Sequence, residues 1–316
     1  MTQASDNMAR VALDFIAQGK GAALATVIST WGSAPRPVGS QLAIADDGAF
    51  QGSVSGGCVE GAVILAAQDA LQDGKCRVLD YGVADADAFA VGLACGGNIQ
   101  ILVEPIGLGD GPDLALIEQM AKAAEIRKAY AYQVNLETWV RQPLVAAGFV
   151  SGKRDNLYIH VVNPGLRMII VGAVHVTQTL APLARMAGYA VTLVDPRDSF
   201  STHERFPDDT FIDAWPDEAL RNVGLDAHTA VITLSHDPKI DTPALAVALQ
   251  SDVFYIGALG SRKTHAKRVA ELQGQGFTDV QIARIHGPIG LNIGAKTPAE
   301  IAISIMAEVT ERLRRP

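Results

Sequence analysis

A chain of 316 residues is long enough for two domains that each bury a core without disulfides or metals. Its 26 Lys and Arg against 34 Asp and Glu leave a net charge of −8 at pH 7, which gives no general attraction to phosphate backbones or anionic lipid, so nucleic acid is not expected as a partner. No run of about 18 apolar residues could span a bilayer and no basic stretch precedes a short apolar core at the start, so the chain reads as soluble and cytoplasmic, without a membrane partner.

Apolar residues at helical spacing predict a helix over Met8 to Ala17, followed by a buried strand in "GAALATVIST" and the turn-rich "WGSAPRPVGS". "QLAIADDGAFQGSVS" alternates on both sides of Asp46, Asp47 and Gly48, a hairpin signal. Beyond Cys58, the residues Val59, Val63, Ala66, Ala67, Ala70 and Leu71 share one side of a helix that stops at Gly74. "CRVLDYG" and "NIQILVEP" read as strands, "PIGLGDGPD" as a loop, and Leu114, Ile117, Ala121 and Ala124 as the face of another helix. Strand-like "YAYQVNLETWV", "LVAAGFVSG" and "LYIHVVN" complete a mixed α+β block, residues 1–163, ending at the turn of Asn163, Pro164 and Gly165.

From Arg167 onward short apolar runs alternate with helical patterns, which predicts an α/β domain over residues 164–316 with a mostly parallel, doubly wound, Rossmann-like sheet. "RMIIVGAVHVTQTLAPLARMAGYAVTLVDPR" has strand, Gly172 turn, helix and a second strand ending at Asp195, where a ribose-binding carboxylate is expected. Val174 and Thr177 stand at the second and third glycine positions. A branched side chain at Val174 would occupy the place of phosphate oxygens, which argues against ordinary NAD(P) binding. His175 reads as a residue that opens the helix.

The second glycine-rich turn, "YIGALGSRKTHAKR", runs from a strand through Gly257 and Gly260 into a helix carrying Ser261, Arg262 and Lys263 in its first turn. Free N–H groups and two cations there suit an anion such as phosphate. "HGPIGLNIGAKTP", with His286, Pro288, Gly290, Asn292 and Gly294, is a polar loop able to approach a ligand, ahead of a helix capped by Thr297, Pro298 and Glu300. "LSHDPKID" supplies Ser235, His236 and Asp237, but three consecutive residues do not form a relay of nucleophile, base and orienter.

Cys58, Cys76 and Cys95 lack CxxC spacing, so neither a disulfide framework nor a cysteine-only zinc site is supported. Cys58 follows two glycines at an expected helix start, where N–H dipoles favour a thiolate. Cys95 precedes Gly96 and Gly97, and glycine pairs let a bulky ligand reach the backbone. Cys76 reads as an ordinary strand residue.

Together "GSAPRPVGSQLAIADDGAFQGSVSGGCVEGAV", "LACGGNIQILVEP", "VDPR", "YIGALGSRKTHAKR" and "RIHGPIGLNIGAKTPAEIAISIMAEV" resemble the XdhC/CoxI family, accessory proteins of molybdenum hydroxylases such as xanthine dehydrogenase and carbon monoxide dehydrogenase. The resemblance covers nearly the whole chain and implies a chaperone that carries molybdopterin-type molybdenum cofactor, protects it while a cysteine desulfurase supplies its sulfur, and delivers it to an apo molybdenum hydroxylase. Cys58 and Cys95 would be the sulfur-handling thiols, with Cys58 close to molybdenum; Arg36, Ser55, Gly56, Gly57 and Glu60 would line their half of the site with Gly96 and Gly97. Gly172, His175, Asp195, Arg197, Gly260, Ser261, Arg262 and Lys263 would hold the phosphate or nucleotide end. The family usually reads Gly-Ala-Gly-His where this chain has Gly172, Ala173, Val174 and His175, which weakens nucleotide binding at that turn.

Family members are often named as xanthine dehydrogenase or its subunit, but the chain has no ferredoxin-type cysteine set. Two other readings remain at this point: an NAD(P)-dependent oxidoreductase using the Rossmann-like domain, and a docking module without bound cofactor. Apolar surface on the mixed N-terminal block points to a homodimer.

Overall fold

The computed structural model describes residues 7–32, 36–82, 97–145, 149–197 and 205–315, and the chain divides into two compact units, Met1–Pro164 and Gly165–Pro316. In the first unit β1 (Ala22–Trp31) is the centre of an antiparallel sheet with β2 (Gln41–Ala45), β3 (Phe50–Gly52), β4 (Arg77–Tyr81) and β5 (Asn98–Pro105), in the order β3-β2-β1-β5-β4. Ala23, Ala25 and Val27 face α2 (Glu60–Asp73), packing with Val63, Ala67 and Ala70. Leu24 and Ile28 face α1 (Met8–Ala17) and α3 (Leu114–Glu125). Burial on both faces explains why β1 shows no polar alternation over its first seven residues.

A second antiparallel sheet, ordered β7-β6-β9-β8, joins the α1 and α3 side through Tyr132, Val134 and Tyr158; its strands are β6 (Tyr130–Asn135), β7 (Arg141–Leu144), β8 (Gly152–Arg154) and β9 (Leu157–Val162). The sequence run "YAYQVNLETWV" is therefore strand and turn rather than one strand. The Asn135 side chain accepts the N–H groups of Glu137 and Thr138 at 2.9 and 3.0 Å, and that local competition with the ladder ends β6. Arg141 bridges the sheets: it donates to Glu104 of β5 at 3.0 and 2.6 Å and to the carbonyls of Asp110 and Trp139, both at 2.8 Å.

The second unit is a six-stranded parallel sheet of β10 (Arg167–Val171), β11 (Ala190–Val194), β12 (Thr210–Ile212), β13 (Thr229–Thr233), β14 (Tyr255–Ala258) and β15 (Ile285–His286). Its order, β12-β11-β10-β13-β14-β15, is the 3-2-1-4-5-6 arrangement of a Rossmann sheet. α4 (His175–Met186) and α9 (Pro298–Arg314) cover one face, α5 (Pro216–Val223), α6 (Pro238–Leu249), α7 (Arg262–Gly274) and the short α8 (Asp279–Ile282) the other. The Thr297–Glu300 capping box legible in the sequence opens α9. Among the described residues no helix is long and apolar enough to cross a membrane.

Candidate functional site

The loop from Ser53 to Val59 turns tightly through Gly56 and Gly57, whose φ values of +78° and +112° favour glycine. Its shape is set from inside by Glu60, the first residue of α2. The buried carboxylate accepts the N–H groups of Val54, Ser55, Gly56 and Gly57 at 3.2, 2.9, 3.1 and 2.8 Å, and the Ser53 hydroxyl at 2.8 Å. The Ser55 hydroxyl donates to Oε2, the oxygen that also accepts the Gly57 N–H, and accepts the Val59 N–H at 2.9 Å. Burial by itself would raise this carboxyl, but the bonds from Ser55 and Ser53 outweigh it and hold the group at about 2 against an ordinary 4.5.

That arrangement changes the expected roles in the "SGGCVE" motif. Glu60 organises the loop from within, its two carboxylate oxygens accepting from the chain's own donors. Ser55 is buried beneath the loop, while Gly56, Gly57 and Cys58 are exposed on it. The thiol is thus presented to solvent by a rigid turn two residues before the helix, and the amides beside it are already taken by Glu60. Arg36 is exposed; Gly97 is buried just before β5; Cys95 and Gly96 lie outside the described residues. Cys76 is a different case: burial, reinforced by the Glu104 carboxylate, pushes its thiol up to about 12, and it rests against Asp110 and Arg141 as a structural group.

In the second unit the first glycine-rich turn is closed by its own side chains. A Cβ at Gly172 (φ +108°) would lie 2.7 Å from the Ser235 backbone nitrogen. The Thr177 hydroxyl donates to the Gly172 carbonyl at 2.6 Å, so the threonine in the third glycine position ties helix to turn. Asp195 is fully buried: it accepts the Ala173 N–H at 2.7 Å and the Arg197 guanidinium at 2.8 and 2.7 Å. It holds the turn and positions Arg197. His175 is the exposed first residue of α4.

At the second turn Gly260 (φ +140°) leads into Ser261, whose hydroxyl caps α7 by accepting the Thr264 N–H at 3.1 Å, with Arg262 and Lys263 exposed beside it. The space beside Gly257 is taken by Ile289, and that beside Gly290 by Ser304. The Gly290 N–H also donates to Glu308 at 2.7 Å, and Glu308 accepts from Tyr255 at 2.5 Å and lies 3.1 Å from His286 Nδ1, which fastens this loop to α9. Pro288 is exposed and Gly294 has open space around it. Ser235 donates to Asp241 at 2.6 Å and Asp237 caps α6, so these residues serve the turn after β13.

One feature went unread in the sequence. A cavity of about 410 Å³ opens at the end of β1, β5 and β4, lined by Trp31, Asp80, Gly82, Asn98 and Gln100 among others. Its signal was a run of polar residues and an indole closing strands that are otherwise apolar.

Residues 15–82 match the XdhC and CoxI family and residues 168–309 the XdhC Rossmann domain. The chain is 31% identical to the molybdenum cofactor insertion chaperone PaoD of Escherichia coli (strain K12), over 95% of this chain and 86% of that one. It is 27% identical to a Bacillus subtilis (strain 168) protein named as a probable xanthine dehydrogenase subunit, over 93% and 94% of the two chains. A crystal structure described as a xanthine dehydrogenase from Bacillus halodurans shares the fold with a TM-score of 0.76 at 24% identity, over 98% of this chain and 96% of that one. With likeness of this degree along almost its whole length, the chain belongs to the XdhC and CoxI family.

Proposed function

We propose that the chain is a cytoplasmic carrier of molybdopterin-type molybdenum cofactor, which it shelters during sulfuration and hands to an apo molybdenum hydroxylase. The cofactor is cargo here, and the work of the protein is to bind, orient and release it. The observation that carries the reading is the Cys58 thiol, exposed on a loop that Glu60 holds rigid from within. The name of the Escherichia coli relative supports it from outside. A thiol fixed in that way suits sulfur handling, because exchange proceeds through an accessible thiolate. Arg262 and Lys263 at the capped start of α7 suit the phosphate end of the cargo, with Cys95, Gly96, Arg36 and the exposed loop residues Pro288 and Gly294 as further contacts. The partners on this reading are the apo-hydroxylase, a cysteine desulfurase and a second copy of the chain. A nicotinamide enzyme is disfavoured by Val174 and by the engagement of Asp195 with Ala173 and Arg197.

Cys58→Ala is the direct test. The variant should fold as the parent does, retain cofactor about tenfold less well or worse, and lose most hydroxylase activation in a transfer assay with apo-hydroxylase. Wild-type cofactor retention together with wild-type activation would remove Cys58 from the mechanism.

A further inference from the structure

The cavity at the end of the first sheet owes its shape to one irregularity in β1. Up to Val27, odd-numbered residues of β1 stand opposite Pro105, Val103 and Ile101 and face α2. The register then shifts, so that Ser29 stands opposite Gln100 and Trp31 opposite Asn98. Residues directly opposite in an antiparallel pair share a face, so the bulge turns Trp31 onto the face of Asn98, Gln100 and Leu102. Leu102 is core on that face, whereas two and four residues earlier the same face is polar and open.

Trp31 is 73% exposed and belongs to neither hydrophobic core of its unit, so folding makes no use of its indole. Across the strands Asp80 of β4 stands opposite Gln100. The Gln100 amide donates to Asp80 Oδ1 at 2.5 Å while its oxygen accepts from Lys153 of β8 at 2.9 Å. That chain anchors one oxygen of the Asp80 carboxylate, and Oδ2 makes no hydrogen bond among the described residues. Asn98 lies over Gly82, where an added Cβ would overlap its Oδ1. An aromatic face, an oriented carboxylate and a side-chain amide therefore converge on a space of about 410 Å³, within the usual range for small-ligand sites.

A flat ring fits the indole, and a carboxylate held by one oxygen accepts two parallel N–H groups from a ring edge. We infer that this cavity binds a planar heterocycle with a 2-amino-4-oxo-pyrimidine edge, Trp31 stacking on the ring and Asp80 accepting from the ring N–H and the 2-amino group. Pterins and guanine share this edge; the choice of pterin rests on the reading of the chain as a cofactor carrier. Asn98 supplies a further donor and acceptor, and Gln100 is a positioning residue acting through Asp80.

Equilibrium dialysis of the full chain against 6-hydroxymethylpterin, lumazine and guanosine monophosphate tests it, because lumazine replaces the 2-amino donor with an oxygen that faces the carboxylate. Wild-type protein should bind the pterin about tenfold or more tightly than lumazine. Trp31→Ala should weaken pterin binding about tenfold or more. Asp80→Asn should erase the preference over lumazine, and Gly82→Ala should weaken binding by displacing Asn98. Both Trp31 and Asp80 are exposed, so these substitutions leave the fold intact. Tighter binding of guanosine monophosphate than of the pterin would support the site and name guanine as the ring. Equal binding of pterin and lumazine, unchanged binding in the variants, or no retention of pterin by wild-type protein would overturn it. A full complement of cofactor on Asp80→Asn protein made in cells would overturn the site and leave the carrier function standing. Pterin selectivity in dialysis without any cofactor on cell-made protein would do the reverse.

Discussion

Replacing Glu60 by alanine is expected to destabilise the first unit by about 3 kcal/mol, since the buried amides of Val54 and Ser55 and the buried Ser55 hydroxyl lose their acceptor, together with the part-buried donors of Ser53, Gly56 and Gly57. The same change should free the turn that presents Cys58, so the thiol would sample many positions. The pH dependence has a definite sign. The folded carboxyl titrates at about 2 and its ordinary value is 4.5, so the stabilisation is complete above about pH 5 and is lost as pH falls through 4.5 toward 2. Urea unfolding of wild type and Glu60→Gln between pH 3 and neutrality should therefore show a stability gap that narrows with acid. Asp47, Asp73, Glu300 and Glu308 are also held below their ordinary values, so the difference between the two proteins is the quantity to follow. A gap under about 0.5 kcal/mol at neutral pH would mean the loop does not depend on Glu60.

Arg141→Met is the second large effect, at about 3–5 kcal/mol, because it leaves the Glu104 carboxylate, 1% exposed, without its cation. Combining it with Glu104→Met should recover most of the loss, since the pair is then replaced by apolar packing. The guanidinium also contacts the Cys76 sulfur at 3.4 Å, so the single variant should make Cys76 accessible to thiol reagents to which wild type is inert there. An additive double variant, no more stable than the sum of the two singles, would show that the two sheets are held together by their apolar residues alone.

The parallel sheet of the second unit was legible because buried strands between helices leave a rhythm that chain order alone displays: β10, α4 and β11 fall where the apolar runs and the Gly172 turn put them. Helix ends were equally legible where short-range chemistry sets them, as at Thr297 and Gly74. The site was less so. A glycine in sequence cannot reveal whether the room it leaves is for a ligand or for the chain itself, and the spaces beside Gly257 and Gly290 hold Ile289 and Ser304. The part of Glu60 in shaping its own loop shows only once the chain closes back on it, and Trp31 reads as a loop residue until the bulge after Val27 fixes its face. The Arg141–Glu104 contact joins residues on different sheets, beyond any local pattern.

The carrier function is tested most directly by the pterin content of the protein itself, expressed with an active molybdopterin pathway, purified without oxygen, oxidised with acid iodine and read by the fluorescence of the released pterin. Close to one pterin per chain, reduced sharply in Cys58→Ala, is the expected result. Protein free of pterin in both forms would contradict it and leave a docking role for this member of the XdhC and CoxI family.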